Sequence, residues 1–338
     1  MAIRSPLRRI AAASSMDTLR LGTRGSQLAL FQAHAVAALL REREGVECEI
    51  VVIKTSGDRL SEATLAQIGG KRLFVKEIED ALLDGTIDLA VHSSKDMPAL
   101  LAPGLVIGAV LPRGDARDAV VLPDGGGELL ALDDVVRRLG RAPRIGTSSV
   151  RRTAQLTRIF PGARFLPIRG NLDTRLRKLD SGEFDAIVLA AAGLRRLKYE
   201  ARISAALPPD VCVPAPGQGI IAVEVRAGDE QVCERVSRIT DPSAASALAA
   251  ERALVTRLGG GCQMPIGAFA SELGSDLRMI AIVVSVDGSR IARVETHGPI
   301  ADAERVGLEA AEHLLGHGAA DILADVQRAQ GTVEGIQP

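Results

Sequence analysis

The chain has 338 residues, room for two or three domains with their own cores, and its 46% hydrophobic and 25% charged content is that of a globular protein. A formal net charge of −1, no Trp, one Tyr and six Phe argue against nucleic-acid binding, which wants global positive charge and aromatic stacking platforms. No run nears the ~20 apolar residues of a membrane span, and Cys48, Cys212, Cys233 and Cys262 show no CxxC spacing, so neither a zinc site nor a disulfide framework is indicated and a reduced compartment, the cytoplasm, is expected.

The leader MAIRSPLRRIAAASSM is basic and acid-free but has no continuous apolar core, which leaves a transit-like segment and a start at Met16 both open. Residues 19–23 then predict a strand. Ser26 predicts the N-cap of an amphipathic helix whose apolar positions Leu28, Phe31, Val36, Leu39 and Leu40 face one side and which Gly45 stops. Residues 46–54 are a second strand, and TSGD a loop. GGKRLFVK (69–76) sets Lys71, Arg72 and Lys76 beside paired glycines, ahead of a helix that Gly85 ends. Residues 87–92 read as a buried central strand. The polar run that follows, to Asp96, stops at Pro98, which bars a helix through Asp96 and Met97. Lys95 and Asp96 thus stand at the carboxyl end of a strand, where open α/β sheets hold ligands. A carboxylate there suits a developing cation or a ring N–H; an ordinary exposed turn is the competing reading.

A second unit begins near Ala116 and rhymes with the first. LGT (21–23) and IGT (145–147) each end a strand and open a helix, while DGTIDLAV (84–91) and SGEFDAIV (181–188) each lead through glycine to a strand that begins with a buried-looking Asp. Strands are predicted over 144–147, 164–168 and 184–190, and helices over SSVRRTAQLTRIF, capped by Ser148 or Ser149, and NLDTRLRKLDSG. Strand–helix alternation of this kind implies largely parallel sheets. Residues 137–178 hold eleven Arg and one Lys against the single acid Asp173. An arginine field on a neutral chain, with hydroxyls and paired guanidinium groups at helix starts, suits a small polyanion in a cleft.

PAPGQG (214–219) is a connector, and residues 220–225 a strand expected to return to an earlier sheet, which makes a hinge. A helix runs from Pro242 to Leu258. Beyond RLGGGCQMPIG come a hairpin with an Asp287-Gly288 turn and two acidic amphipathic helices. The organisation predicted is α/β: residues 17–115 with 219–238 as a first domain, 116–213 as a second, and a small α+β domain over 242–338. Cys262 follows three glycines, with little bulk to bury it and no His near in sequence. That does not support a thiolate nucleophile, while a thiol carrying a covalent group stays open. The five His show no metal-ligand spacing and are read as structural or surface residues.

LGTRGSQLAL, GGKRLFVKE, AVHSSKDMP, GTSSVRR, RGNLDTRL, LAAAGLRRL, PAPGQG and GGGCQMPIG, in this order and spacing, closely resemble the porphobilinogen deaminase (hydroxymethylbilane synthase) family over nearly the whole chain. The resemblance implies two periplasmic-binding-protein-like α/β domains with a hinge, and a small C-terminal domain carrying a dipyrromethane cofactor in thioether linkage to Cys262. It implies a monomeric transferase of haem biosynthesis that adds four porphobilinogens head to tail with loss of ammonia and releases the linear tetrapyrrole with water. By resemblance Asp96 is catalytic. Lys95, Thr147, Ser149, Arg151 and Arg152 bind the cofactor; Arg24, Ser26, Arg169, Arg175 and Arg196 bind substrate, with Lys71 and Phe74 in the family's GGK loop. Gly25 and Arg72 depart from the common pattern. The alternative, a two-lobed binding protein for a small polycarboxylate without catalysis, leaves the third domain and Cys262 unexplained.

Overall fold

The computed structural model describes residues 18–56, 75–123, 129–260 and 264–334; the first sixteen residues, Lys71, Phe74 and Cys262 lie outside them. The chain opens with β1 (Thr18–Thr23), α1 (Gln27–Glu44), β2 (Glu47–Val52), α2 (Lys76–Leu83), β3 (Leu89–Ser93) and β4 (Leu105–Val110). The Ser26 hydroxyl accepts the Ala29 N–H at the start of α1, and Gly45, at φ 65°, closes its end. The buried stripe of α1 is Gln32, Ala33, Val36 and Leu40 rather than one centred on Phe31, which is 41% exposed. The small Ala33 side chain lets the helix seat against Leu19, Leu21, Leu89 and Val91, and the bulky ring turns outward.

A second sheet follows, built from β5 (Asp118–Val121), α3 (Leu132–Leu139), β6 (Arg144–Gly146), α4 (Val150–Leu156), β7 (Arg164–Leu166), α5 (Leu172–Asp180), β8 (Ala186–Ala190), α6 (Ala191–Arg196) and β9 (Ala205–Leu207). Its strand order is β7-β6-β8-β5-β9. The chain then returns, and β10 (Ile221–Arg226) inserts antiparallel between β3 and β4, giving β2-β1-β3-β10-β4. Both sheets follow one plan: three parallel strands, an antiparallel strand that arrives from the other lobe, then a fifth. The sheets are therefore mixed, each with one antiparallel strand.

The rhyme seen in the sequence has a physical partner. Arg20 on β1 grips Asp88 with its N–H, Nε and Nη2, and Arg144 on β6 grips Asp185 with the same three groups. The two aspartates are thus partly exposed and clamped by arginine, not buried as read from the sequence.

α7 (Glu230–Ser237) packs on the first sheet, and the third unit then comprises α8 (Pro242–Arg257), β11 (Ile266–Leu273), β12 (Asp276–Val284), β13 (Ile291–Pro299), α9 (Ala303–Gly316) and α10 (Ala319–Glu334) around their own core. Asp241 caps α8 through the Ala244 N–H, and Pro242 opens its first turn. Two carboxylates hold the crossings. Asp118 accepts from Gln218 Nε2 at 2.9 Å, and Glu251 of α8 accepts from the Gly217 N–H at 2.6 Å and from Arg113 at 2.8 Å. Arg113 also donates to the Gln218 and Ala270 carbonyls, so both crossings and the third sheet meet at one side chain.

Candidate active site

β3 ends at Ser93 and the chain makes a single tight turn over Ser94–Asp96, closed by the Met97 N–H on the Ser94 carbonyl at 3.1 Å. Met97 is extended, as Pro98 requires. The turn hangs from the β3–β10 ladder, because the Ser94 N–H donates to the Ile220 carbonyl at 3.0 Å. The buried Gln32 amide of α1 holds Ser93 Oγ at 2.8 Å. Gly217 presses on the other side: at φ 72°, a Cβ there would lie 2.5 Å from Ser94 Oγ and 3.1 Å from the Lys95 nitrogen. Lys95 is consequently partly buried, whereas Asp96 stays exposed.

Across from this turn stand cations of the second lobe. Burial pushes the Lys95 ammonium down to about 8; Asp96 opposes that shift, and Arg152 adds to it. Arg175 is lowered to about 10 by burial, with Arg152 and Arg169 pushing the same way and Asp96 opposing. Arg169 is lowered by burial alone. These mutual influences bring Lys95 and Asp96 of one lobe together with Arg152, Arg169 and Arg175 of the other. Such a group of like charges, in surroundings poorer than water, favours any ligand that brings carboxylates.

The paired arginines at the start of α4 are buried and engaged inside the second lobe. Arg151 Nη1 donates to Asp118 Oδ2 at 2.6 Å and to the Val213 carbonyl at 2.7 Å. Arg152 donates from Nε to Asp118 Oδ1 at 2.9 Å and from Nη1 to the Val188 carbonyl at 2.8 Å. Asp118 is fully buried, and the two guanidinium groups hold its carboxyl well below the usual range. Sequence reasoning missed Asp118, whose only signal was an acid at the head of an otherwise apolar strand, DAVV.

The predicted hydroxyls are engaged in the local fold. Thr147 Oγ1 accepts the Ser149 N–H, Ser149 Oγ accepts the Arg152 N–H as the cap of α4, and Ser26 caps α1 beside Arg24. Ser148, the other candidate cap, bonds both the N–H and the carbonyl of Ile168 instead. Arg196 reaches the hinge and donates to the Gly219 carbonyl at 2.6 Å, with burial pushing it down to about 10. Burial raises Cys48 to about 11 and Cys212 to about 12, so both are inert packing thiols. Cys212 lies in a bend after β9. Arg252 of α8, the helix leading to the stretch that carries Cys262, donates to the carbonyls of Pro98 at 3.1 Å and Ala99 at 2.7 Å. The third unit is thereby fastened to the segment just past Asp96.

Two α/β lobes crossed twice by the chain, with cations of one near an exposed aspartate of the other and a third unit tied to that aspartate's loop, define a two-lobed α/β protein with an appended small domain. The chain belongs to the porphobilinogen deaminase family. The family model "Porphobilinogen deaminase, dipyromethane cofactor binding domain" matches residues 19–234, and "Porphobilinogen deaminase, C-terminal domain" matches residues 245–316. The chain is 46% identical over 311 residues to porphobilinogen deaminase of Syntrophotalea carbinolica, covering 92% of this chain and 96% of that one. It is 44% identical over 321 residues to that of Moorella thermoacetica, covering 95% and 100%. Among solved structures, substrate binding domain 2 of Lactococcus lactis GlnP in its open conformation aligns with a TM-score of 0.42 at 11% identity, over 73% of this chain and 93% of that one.

Proposed function

We propose that the cleft joins porphobilinogen units head to tail into a linear tetrapyrrole, with release of ammonia, on a dipyrromethane carried by Cys262. The observation that carries this reading is that Asp96, exposed on the first lobe's turn, acts on Arg175 of the second lobe, which Arg152 and Arg169 also act on. Each pyrrole of such a chain bears an acetate and a propionate, so the ligand is a polycarboxylate, and the residues present fit it. Arg152 disfavours the charge of Lys95 and, with Arg169, that of Arg175, while Asp118 is already matched by Arg151 and Arg152. When bound, the dipyrromethane supplies the pyrrole end on which growth starts.

In this reading Lys95, Arg151, Arg152, Thr147 and Ser149 form the wall for cofactor carboxylates, Arg151 chiefly by fixing Asp118 and with it Arg152. Arg24, Ser26, Arg169, Arg175 and Arg196, with Lys71 and Phe74, receive the incoming units. Loss of ammonia leaves the substrate ring electron-poor, and positive charge gathers at pyrrole nitrogen as the rings couple. The Asp96 carboxylate accepts from those N–H groups and stabilises that charge. Its setting supports the role: it is exposed to the cleft on a turn fixed by Gln32, Ile220 and Gly217. The division into residues 17–115 with 219–238, 116–213 and 242–338 is supported by three sheets with separate cores. We infer a cytoplasmic location from cysteines without disulfide-framework spacing, Cys48, Cys212 and Cys233 being free thiols, and a monomer from the family resemblance.

Asp96→Asn is expected to fold and to keep its dipyrromethane by intact mass, while turnover of porphobilinogen falls by about 10²–10³, the loss typical when one preorganised partner of a developing charge is removed. Normal turnover would refute the role of Asp96. Cys262→Ala should lose the added dipyrrole mass and the activity together; a variant that retains the mass places the attachment elsewhere.

A further inference from the structure

The first sheet buries a histidine–carboxylate contact that its twin does without. His92 on β3 and Glu224 on β10 are 4% and 0% exposed at their side chains, and His92 Nε2 lies 3.0 Å from Glu224 Oε2. Among the described residues the Glu224 carboxylate has no other partner, and neither of its oxygens is in good hydrogen-bond geometry. The corresponding positions of the second sheet follow from register. His92 pairs with Ala222 and Ala90 with Glu224; Leu189 pairs with Ala119 and Ile187 with Val121. With Asp88 aligned on Asp185, His92 corresponds to Leu189 and Glu224 to Val121. Those two residues are 5% and 0% exposed and share one apolar core. The fold therefore does not need polar side chains here. A buried pair is commonly no more stabilising than a well-packed apolar replacement, so stability alone does not account for it.

What distinguishes the two strands is what they hold. β8 runs straight into α6, whereas β3 runs into the turn bearing Lys95 and Asp96, which is suspended from β10 through Ile220. β10 also shifts register against β4 between Val223 and Glu224, so its outer edge is irregular at that point. We propose that His92 and Glu224 are positioning residues: bridging β3 and β10 diagonally, they fix the ladder from which the Ser94–Asp96 turn hangs, and so set the reach of Asp96 into the cleft. This rests on Asp96 carrying out the chemistry as proposed above.

The test transplants the second lobe's residues into the holoenzyme as His92→Leu with Glu224→Val. Each single change leaves one buried polar group alone and should lower Tm. The double variant should recover Tm and keep its dipyrromethane by intact mass. Its kcat should nevertheless fall about tenfold to a hundredfold with KM little changed, as expected when a reacting group is displaced by about an ångström. A double variant with wild-type kcat overturns the proposal. So does one that fails to fold, since the pair would then be holding the sheet itself. Asp96→Asn measured alongside separates the two readings: if that variant turns over normally, the role of Asp96 fails whatever the double variant does.

Discussion

Asp118 has both carboxylate oxygens engaged inside the second lobe, Oδ2 by Arg151 and Oδ1 by Arg152 and Gln218. Asp118→Asn would leave two buried guanidinium groups without their counter-charge, and urea titration should show a loss of about 3–5 kcal/mol. The pH dependence follows from the same pairing. Because the folded-state pKa is depressed, the contribution of Asp118 is fully present above about pH 4, the unfolded carboxylate value, and is lost as pH falls through the lower folded value. Acid titration of wild type should therefore show a steeper stability decline below about pH 4 than the Asn variant, which keeps only the contributions of the other paired carboxylates such as Asp88 and Asp115. The arginines of this triad were legible as a motif, because adjacent guanidinium groups at a helix start stand out. Their partner was not, since it lies 33 residues away in sequence from Arg151 and sequence spacing carries no information on such a contact. Sequence reading looked for buried aspartates at Asp88 and Asp185 instead, where an arginine on the neighbouring strand made partial exposure affordable.

The tight turn at Ser94–Asp96 and the connector turn at Gly217 fit each other as two backbones in contact. Gly217→Ala would impose a positive φ on a residue with a side chain and drive its methyl into Ser94 Oγ. We expect a stability loss of about 1–3 kcal/mol together with reduced turnover at unchanged cofactor content, read by calorimetry, a porphobilinogen assay and intact mass. At this scale most long elements were visible beforehand. The caps Ser26, Asn171 and Asp241, and the Gly45 stop, mark helix ends by local chemistry that tertiary structure does not override. β4, β5, β9 and β11 escaped notice for a different reason. β9 is three residues long and β5 four, too short for alternation to register, and β4 contains Gly108, which allows the register shift against β10. The inward stripe of α1 was misjudged because apolarity favours Phe31, while close approach to the sheet favours Ala33.

For the whole molecule the junction at Arg113 decides how the three units move together. Its guanidinium is shared among the Gln218 carbonyl, the Ala270 carbonyl and Glu251, whose carboxylate is wholly buried. Arg113→Met would leave Glu251 with only the backbone N–H groups of Gly217 and Ala270. Denaturation should show a loss of about 3–5 kcal/mol, and limited proteolysis should cut faster near residues 214–219 than in wild type. β10 has a further consequence, which concerns synthesis. It is the strand between β3 and β4, yet more than a hundred residues separate it from β4. A chain leaving the ribosome has every strand of the second sheet by Leu207, while the first still presents two open strand edges until Ile221–Arg226 emerge. The lobe translated first is thus the later one to mature, and its waiting edges are where a nascent chain most needs a chaperone.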